Sequence, residues 1–330
     1  MKHLFILLMA ALLLAGCSQS GRQKEGAAEK RSFATEKKIQ PMDTLKAEAV
    51  FRLLTWKIAG ERVAFVTGGT PESFVQVFSY PAGEKLFSGG KTGQGPNEFI
   101  TKNAGSAKGE ELMLYDIMNR RISHLSFTGD TLYINKQFSL YNDAEGMCKP
   151  FTFISQLKDD TYLMKIDDPT LSEWELANLK EGKVLDKYPN PVRKSEFSYT
   201  PFNFLQATTE SGFVAAYRYM DRVEFYSTNG DKIQPIKTYG SATDQAKAED
   251  YNRLKKYYLA VAAHKQCYYC LLSTDGSDAG NVIEVYTADG VCQASYQLAA
   301  PVTSITTDAD GLIVGYYPDE NQTLLYRYQL

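Results

Sequence analysis

Histidine and cysteine are the scarcest reactive residues in this 330-residue chain, with three of the first and five of the second. His124 alternates within Ile122-Ser-His-Leu-Ser-Phe127, and His264 stands just before a hairpin turn, so sequence neighbours assemble neither a Ser-His-Asp set nor a His-metal cluster. Cys267 and Cys270 form a Cys-x-x-Cys, the spacing of many metal and redox sites. They lie in Gln266-Cys-Tyr-Tyr-Cys-Leu-Leu272, a run of strand composition in which residues three apart face opposite ways. Cys292 is expected two strands away in the same sheet, roughly 10 Å off and beyond disulfide reach. Structural free thiols are therefore expected. What recurs instead is an acid beside an arginine, in Asp116-Ile-Met-Asn-Arg120-Arg121 and in Asp221-Arg222. Such pairs either bridge a turn or contribute to a polar ring on one face of the molecule, and the elements around them decide which.

The N-terminus carries a different chemistry. Residues 4–15 are 12 unbroken apolar residues behind a short basic start, too few to span a bilayer but right for the core of a signal peptide. Leu14-Ala15-Gly16-Cys17 follows and resembles the bacterial lipobox, where small residues admit the lipoprotein signal peptidase and the thiol receives a diacylglyceryl group. The resemblance implies that residues 1–16 are removed and that Cys17 becomes the lipidated first residue. The alternative is ordinary signal cleavage with Cys17 incidental. Three acyl chains would make attachment durable, at about 0.8 kcal/mol per buried methylene. Residues 18–38 hold almost no large apolar side chain except Phe33 and would reach about 70 Å when extended at ~3.3 Å per residue, so a flexible tether is expected over residues 17–39. Ser18 rather than aspartate follows Cys17, which in lipoproteins of this kind implies the outer membrane, and no acidic cluster behind it supports surface display. A periplasm-facing location is expected.

Six apolar or β-branched runs organise the remainder. They begin at Arg62, Glu111, Thr161, Gly212, Gln266 and Gly311, with spacings of 49, 50, 51, 54 and 45 residues. Polar turns such as Lys108-Gly109, Asp159-Asp160 and Asp310-Gly311 precede most of them. Each run is followed by a loop, a further strand and another tight turn, as in Val223-Glu-Phe-Tyr226 before Asn229-Gly230 or Ile283-Glu-Val-Tyr286 before Asp289-Gly290. With an inner strand ahead of each run, every unit counts four strands, which is the blade of a propeller. The chain ends at Leu330 without a fourth strand for the last unit, while residues 42–50 supply a spare one. The expected fold is all-β: one six-bladed β-propeller over residues 40–330, closed by its N-terminal strand. One helix is expected to be inserted near 241–257, where Ser241 can cap and Tyr251, Leu254 and Tyr258 share a face.

At Gly93-Gln94-Gly95-Pro96-Asn97-Glu98-Phe99 the chain resembles the six-bladed β-propeller lipoproteins of Bacteroides-type bacteria, related to TolB-like and NHL-repeat propellers. It departs from their commonest form at Asn97, where glycine is usual. The resemblance implies fold and location more than chemistry. Read physically, Gly93, Gly95 and Pro96 set a turn with a positive-φ residue, and Glu98 can accept backbone N–H groups that pin the loop ahead of Phe99.

Loops joining blades are long, at residues 138–150, 188–201 and 239–257, while turns at the opposite face are tight. Binding groups concentrate on long loops held by a rigid scaffold. On that face the candidate binding residues are Asp116, Arg120, Asp168, Arg218, Tyr219, Asp221, Asp275 and Asp319. A formal net charge of −3 with interspersed signs gives no basis for a nucleic-acid partner. The expectation is a membrane-anchored, non-enzymatic binding propeller for a protein, peptide or glycan, needing no cofactor. The alternative is a Ca2+-dependent lactonase-like hydrolase, whose acids would converge at the central tunnel.

Overall fold

The computed structural model describes residues 29–70, 73–139, 151–167, 172–190, 203–240 and 254–330. The second strand of each sheet is pressed between neighbouring sheets on both faces and so is apolar through its centre, as at Val63–Val66 of β4 (Arg62–Thr70), all fully buried. This is why six strong runs are visible in the sequence. After β1 (Thr35–Ile39) and β2 (Asp43–Glu48), the first blade holds β3 (Leu53–Ala59), β4 (Arg62–Thr70), β5 (Ser73–Ser79) and β6 (Lys85–Gly89). The second holds β7 (Asn103–Gly105), β8 (Leu112–Asp116), β9 (Arg121–Thr128) and β10 (Thr131–Ser139). The third holds β11 (Phe151–Lys158), β12 (Thr161–Asp167), β13 (Ser172–Asn178) and β14 (Lys183–Pro189). The fourth holds β15 (Phe204–Thr208), β16 (Gly212–Tyr217), β17 (Arg222–Ser227) and β18 (Gln234–Gly240). The fifth holds β19 (Tyr258–His264), β20 (Cys267–Leu272), β21 (Gly280–Thr287) and β22 (Cys292–Val302). The sixth holds β23 (Ser304–Thr307), β24 (Ile313–Pro318) and β25 (Gln322–Tyr328).

β2 is the fourth strand of the sixth blade, antiparallel to β25 in a register that pairs Asp43 with Arg327 and Glu48 with Gln322. The ring is thus closed by the N-terminal strand, with Leu45 and Ala47 packed beside Val314 and Leu325. β8 and β16 are buried at every position, whereas the outer strand β10 alternates between exposed and partly buried residues. The alternation is that of a strand with one face in solvent.

Two stretches differ from expectation. Thr35–Ile39, expected within the tether, is a fifth strand on blade five, parallel to β22 from Thr35 opposite Ala294 to Ile39 opposite Leu298. Ahead of it, Glu29 bridges Tyr239 and Phe33 meets the Tyr286 ring edge-on at 5.6 Å. Phe33 thus finds an aromatic socket and Ile39 packs against the core of blade five, so residues 29–39 belong to the folded body. Cys17 and the rest of the expected tether lie outside the described residues. So does 241–253, most of the expected inserted helix, and the described end of that stretch, residues 254–257, is not helical. Among the described residues the one helical element is a 3-10 turn at Asn229–Asp231.

Candidate functional site

The first strand of each blade lines a central channel of about 1110 Å3. Each of these strands starts at the face that carries the blade-to-blade connections, the long-loop face, and ends at the face of tight turns. At the long-loop end the described lining includes Leu53, Leu54, Phe153, Leu205 and Leu259 together with Arg218, Thr303, Ser304 and Tyr316. At the turn end it is polar and includes Glu110, Glu210, His264 and Asp308. Between them Lys57 donates from Nζ to the Ala107 carbonyl at 2.7 Å. Burial pushes its amine down to about 8, against the pull of Glu111 and Glu110.

Of the eight candidate binding residues, Arg218 is the one that lines this channel among those described. Asp168 lies outside the described residues. Asp116 is fully buried and braces its own turn, accepting from Ile100 N at 2.7 Å, Thr101 N at 3.1 Å, Thr101 Oγ1 at 2.7 Å and Asn119 Nδ2 at 2.8 Å. Burial raises its pKa, but the hydrogen bonds from Thr101, Asn119 and Ile100 outweigh it and hold the carboxyl below its ordinary value. Arg120 is exposed, with a left-handed φ of 53° at the turn. Its neighbour Arg121 turns inward instead, donating to the Pro96 carbonyl at 2.8 Å and the Gly95 carbonyl at 3.2 Å, over the Phe99 ring.

That arginine explains the motif loop. Glu98 Oε2 accepts from Gly95 N at 3.0 Å, and Phe99 is buried against Phe74 with ring centroids 5.5 Å apart. Neither Gly93 nor Gly95 has a positive φ, contrary to the expectation for this turn. Glycine is needed at 93 because a Cβ there would stand 2.1 Å from Glu98 Oε2. The constraint is close approach, and the loop is a clasp between blades one and two.

Tyr219 is buried, 6% exposed, rather than presented on the face. Asp275 caps its own loop through Ser277 N and Ser273 Oγ, each at 3.0 Å, and Asp319 does the same through Glu320 N at 2.8 Å and Gln322 Nε2 at 3.0 Å. These bonds, from Ser277 foremost in one case and Gln322 in the other, hold both carboxyls below the usual aspartate range. Asp116, Asp221, Asp275 and Asp319 sit in four different blades, and among the described residues no three His, Cys, Asp or Glu are grouped to hold a metal ion. Cys267, Cys270 and Cys292 are free thiols, and Cys148 lies outside the described residues.

Asp221 leads to a pair of buried clusters not anticipated from the sequence. In blade four Glu224 receives Arg222 Nε at 2.6 Å, Tyr217 Oη at 2.8 Å and Tyr226 Oη at 2.7 Å. In blade five Glu284 receives Tyr258 Oη and Tyr286 Oη, both at 2.7 Å. Here the sequence has Val282 where blade four has Arg222, and the guanidinium comes from Arg31, whose Nε is 3.9 Å from Glu284 and whose Nη1 is 2.5 Å from Asp221. The signal was available as a repeated Glu-x-Tyr at Glu224 and Glu284. His124, fully buried, bridges blades two and three, with Nδ1 2.7 Å from Glu111 Oε2 and Nε2 2.7 Å from Tyr162 Oη. Tyr162 is itself fully buried, so this relay reaches no substrate-sized space.

No family profile matches the chain, and no curated protein does. Solved structures match in shape. A Bacteroides fragilis protein named for its expected export superposes with a TM-score of 0.55 at 12% identity, over 91% of this chain and 100% of that one. A member of the DUF4221 family from Bacteroides vulgatus gives 0.53 at 12% identity, over 88% of this chain and 97% of that one. Raptor from Chaetomium thermophilum gives 0.52 at 9% identity, and the chain spans 28% of its length. What they share with this chain is the fold. At such identity ligand-contacting side chains do not carry across, because function lives in sites grafted onto a common frame.

Proposed function

We propose that the protein is an exported binding propeller, tethered at the outer membrane through a lipid on Cys17, which recognises a protein, peptide or glycan with its long-loop face and performs no chemistry on it. One observation carries this reading. Phe51 is 69% exposed, Met118 63% and Ile117 44%, in connections on the long-loop face, and Leu54, at the start of β3 on the same face, is 53% exposed. Large apolar side chains exposed on one face, with Leu54 lining the channel there, favour a recognition surface on that face. Of the candidate acids, Asp116, Asp275 and Asp319 are each taken up by their own loop and Asp221 by Arg31, which leaves them poorly placed to act together as calcium ligands. The signal-like N-terminus and the similarity in shape to a protein named for export support a location outside the cytoplasm.

The test pairs Phe51→Ser with Met118→Ser and compares the double variant with Leu86→Ser/Ile236→Ser on outer strands, in cross-linking to envelope components in the cells of origin. The reading expects loss of cross-linked partners for the first pair alone, and release from the membrane fraction on Cys17→Ser. Hydrolytic activity of the purified protein that vanishes on altering one channel residue overturns it.

A further inference from the structure

The channel is asymmetric in a way that names a class of ligand. Among the described residues its lining carboxylates Glu110, Glu210 and Asp308 are all at the turn end, while the long-loop end combines Leu53, Leu54, Phe153, Leu205 and Leu259 with Thr303, Ser304, Tyr316 and the cationic Arg218. Arg218 has both backbone groups committed, its N–H to Asn203 O at 2.8 Å and its carbonyl to Tyr257 N at 2.7 Å. Its guanidinium has no hydrogen bond or ion pair among the described residues, and its Nε is shut off from solvent without a partner. A guanidinium left so beside an apolar wall is matched by a carboxylate arriving on an apolar chain, since the planar fork takes two oxygens at once.

The backbone of the channel wall selects among such chains. Toward the turn end neighbouring first strands are tied together: Ser106 N to Ile154 O at 3.0 Å, Gln156 N to Ser106 O at 2.8 Å, Thr208 Oγ1 to Gln156 O at 3.2 Å, and Lys57 to Ala107 O. Among the described residues the start of β15, beside Leu205, has only β16 as ladder partner and turns its other edge to the channel, whereas at the start of β11 the Thr152 carbonyl already accepts the Tyr115 hydroxyl at 2.7 Å. An open strand edge is satisfied by extended polypeptide, whereas an aliphatic chain offers it no donors or acceptors. Resting on the binding reading above, we infer that the long-loop mouth of the channel captures the C-terminal end of an apolar polypeptide, with its terminal carboxylate on Arg218 and its last side chains against Leu53, Leu54, Phe153, Leu205 and Leu259. The whole channel, at about 1110 Å3, slightly exceeds the roughly 300–1000 Å3 range of ligand pockets, so its mouth has room for the last few residues of a chain.

The experiment uses the detergent-solubilised full chain and three probes in fluorescence anisotropy: an N-terminally labelled hexapeptide of leucine, valine and phenylalanine with a free C-terminus, its C-terminal amide, and labelled dodecanoate. The free acid is expected to bind at least tenfold more tightly than the amide and than dodecanoate. Arg218→Gln should erase the acid-over-amide preference while leaving weak apolar binding and the melting temperature in place, and Arg218→Lys should restore part of the preference. Equal binding of acid and amide, a preference that survives Arg218→Gln, or dodecanoate matching the peptide each overturns the inference. If the peptides fail while the Phe51/Met118 substitutions still abolish cross-linking, only the ligand class is wrong. If both fail, the face is not a recognition surface.

Discussion

Burial governs the protonation of His124. Its ring touches no solvent, and burial holds its pKa below the ordinary 6.5 against the opposing pull of Glu111. With the Glu111 carboxylate able only to accept, Nδ1 donates to it and Nε2 accepts the Tyr162 hydroxyl, so the neutral ring satisfies both ends. As pH falls below 6.5 the unfolded chain takes up the proton before the folded one does, so stability contributed by this site declines from there down to the folded pKa. Urea unfolding of wild type between pH 7.5 and 5 should show that slope, and His124→Gln should flatten it. Tyr162→Phe, which strands Nε2 in the core, should cost about 1–2 kcal/mol at pH 7.5. The surroundings of His124 could not be read locally, because Tyr162 sits in the next blade and the alternation of residues 122–127 says only that the ring points inward.

At the scale of elements, the segment before the ring is the informative one. Arg31 occupies in blade five the role that Arg222 fills within blade four, and Phe33 and β1 hold it there. Burial raises the pKa of Glu284 above the ordinary glutamate value and Arg31 opposes that rise, so this carboxylate is most costly to keep charged when the guanidinium is missing. A group with a raised folded pKa lends stability at low pH that is lost as pH climbs through that value. Arg31→Ala should therefore destabilise by about 2 kcal/mol at pH 7.5 and by clearly less at pH 5. Thermal melts at the two pH values check this, and equal losses would show that the contribution of Arg31 does not run through the Glu284 charge.

At the scale of the molecule, closure is what turns six sheets into one cooperative body. β2 covers the edge of β25, Val50 N donates to the buried Thr323 Oγ1 at 3.0 Å, and the Asp43 carboxylate meets Arg327 at 2.6 Å. Removing residues through Glu48 uncovers a full strand edge and the apolar cluster beneath it, a template for pairing between molecules. The truncated chain should elute as oligomers in size-exclusion chromatography. A synthetic peptide spanning residues 40–50 should return it to the monomer position if closure alone is missing. Elution of the truncated chain as a stable monomer would mean that the ring does not depend on this strand.

The six-fold count, the order of strands within a blade and the closing strand were legible because each is a local consequence of burial. A strand between two blades must be apolar throughout, one at the rim must alternate, and turns between them must be polar; a unit short of a strand at one end of the chain points to its spare at the other. The partners of the charged side chains were decided only by the fold. Arg120 and Arg121 are adjacent and identical in type, yet one is exposed and the other clasps the motif loop, because the turn ends between them. Arg31 reaches Asp221 across 190 positions of sequence, and Arg218 rather than any acid on its face lines the channel. Composition fixes how much of a strand is buried, but which neighbour a buried charge meets depends on how sheets twist and stack around the axis, and no run of nearby residues encodes that.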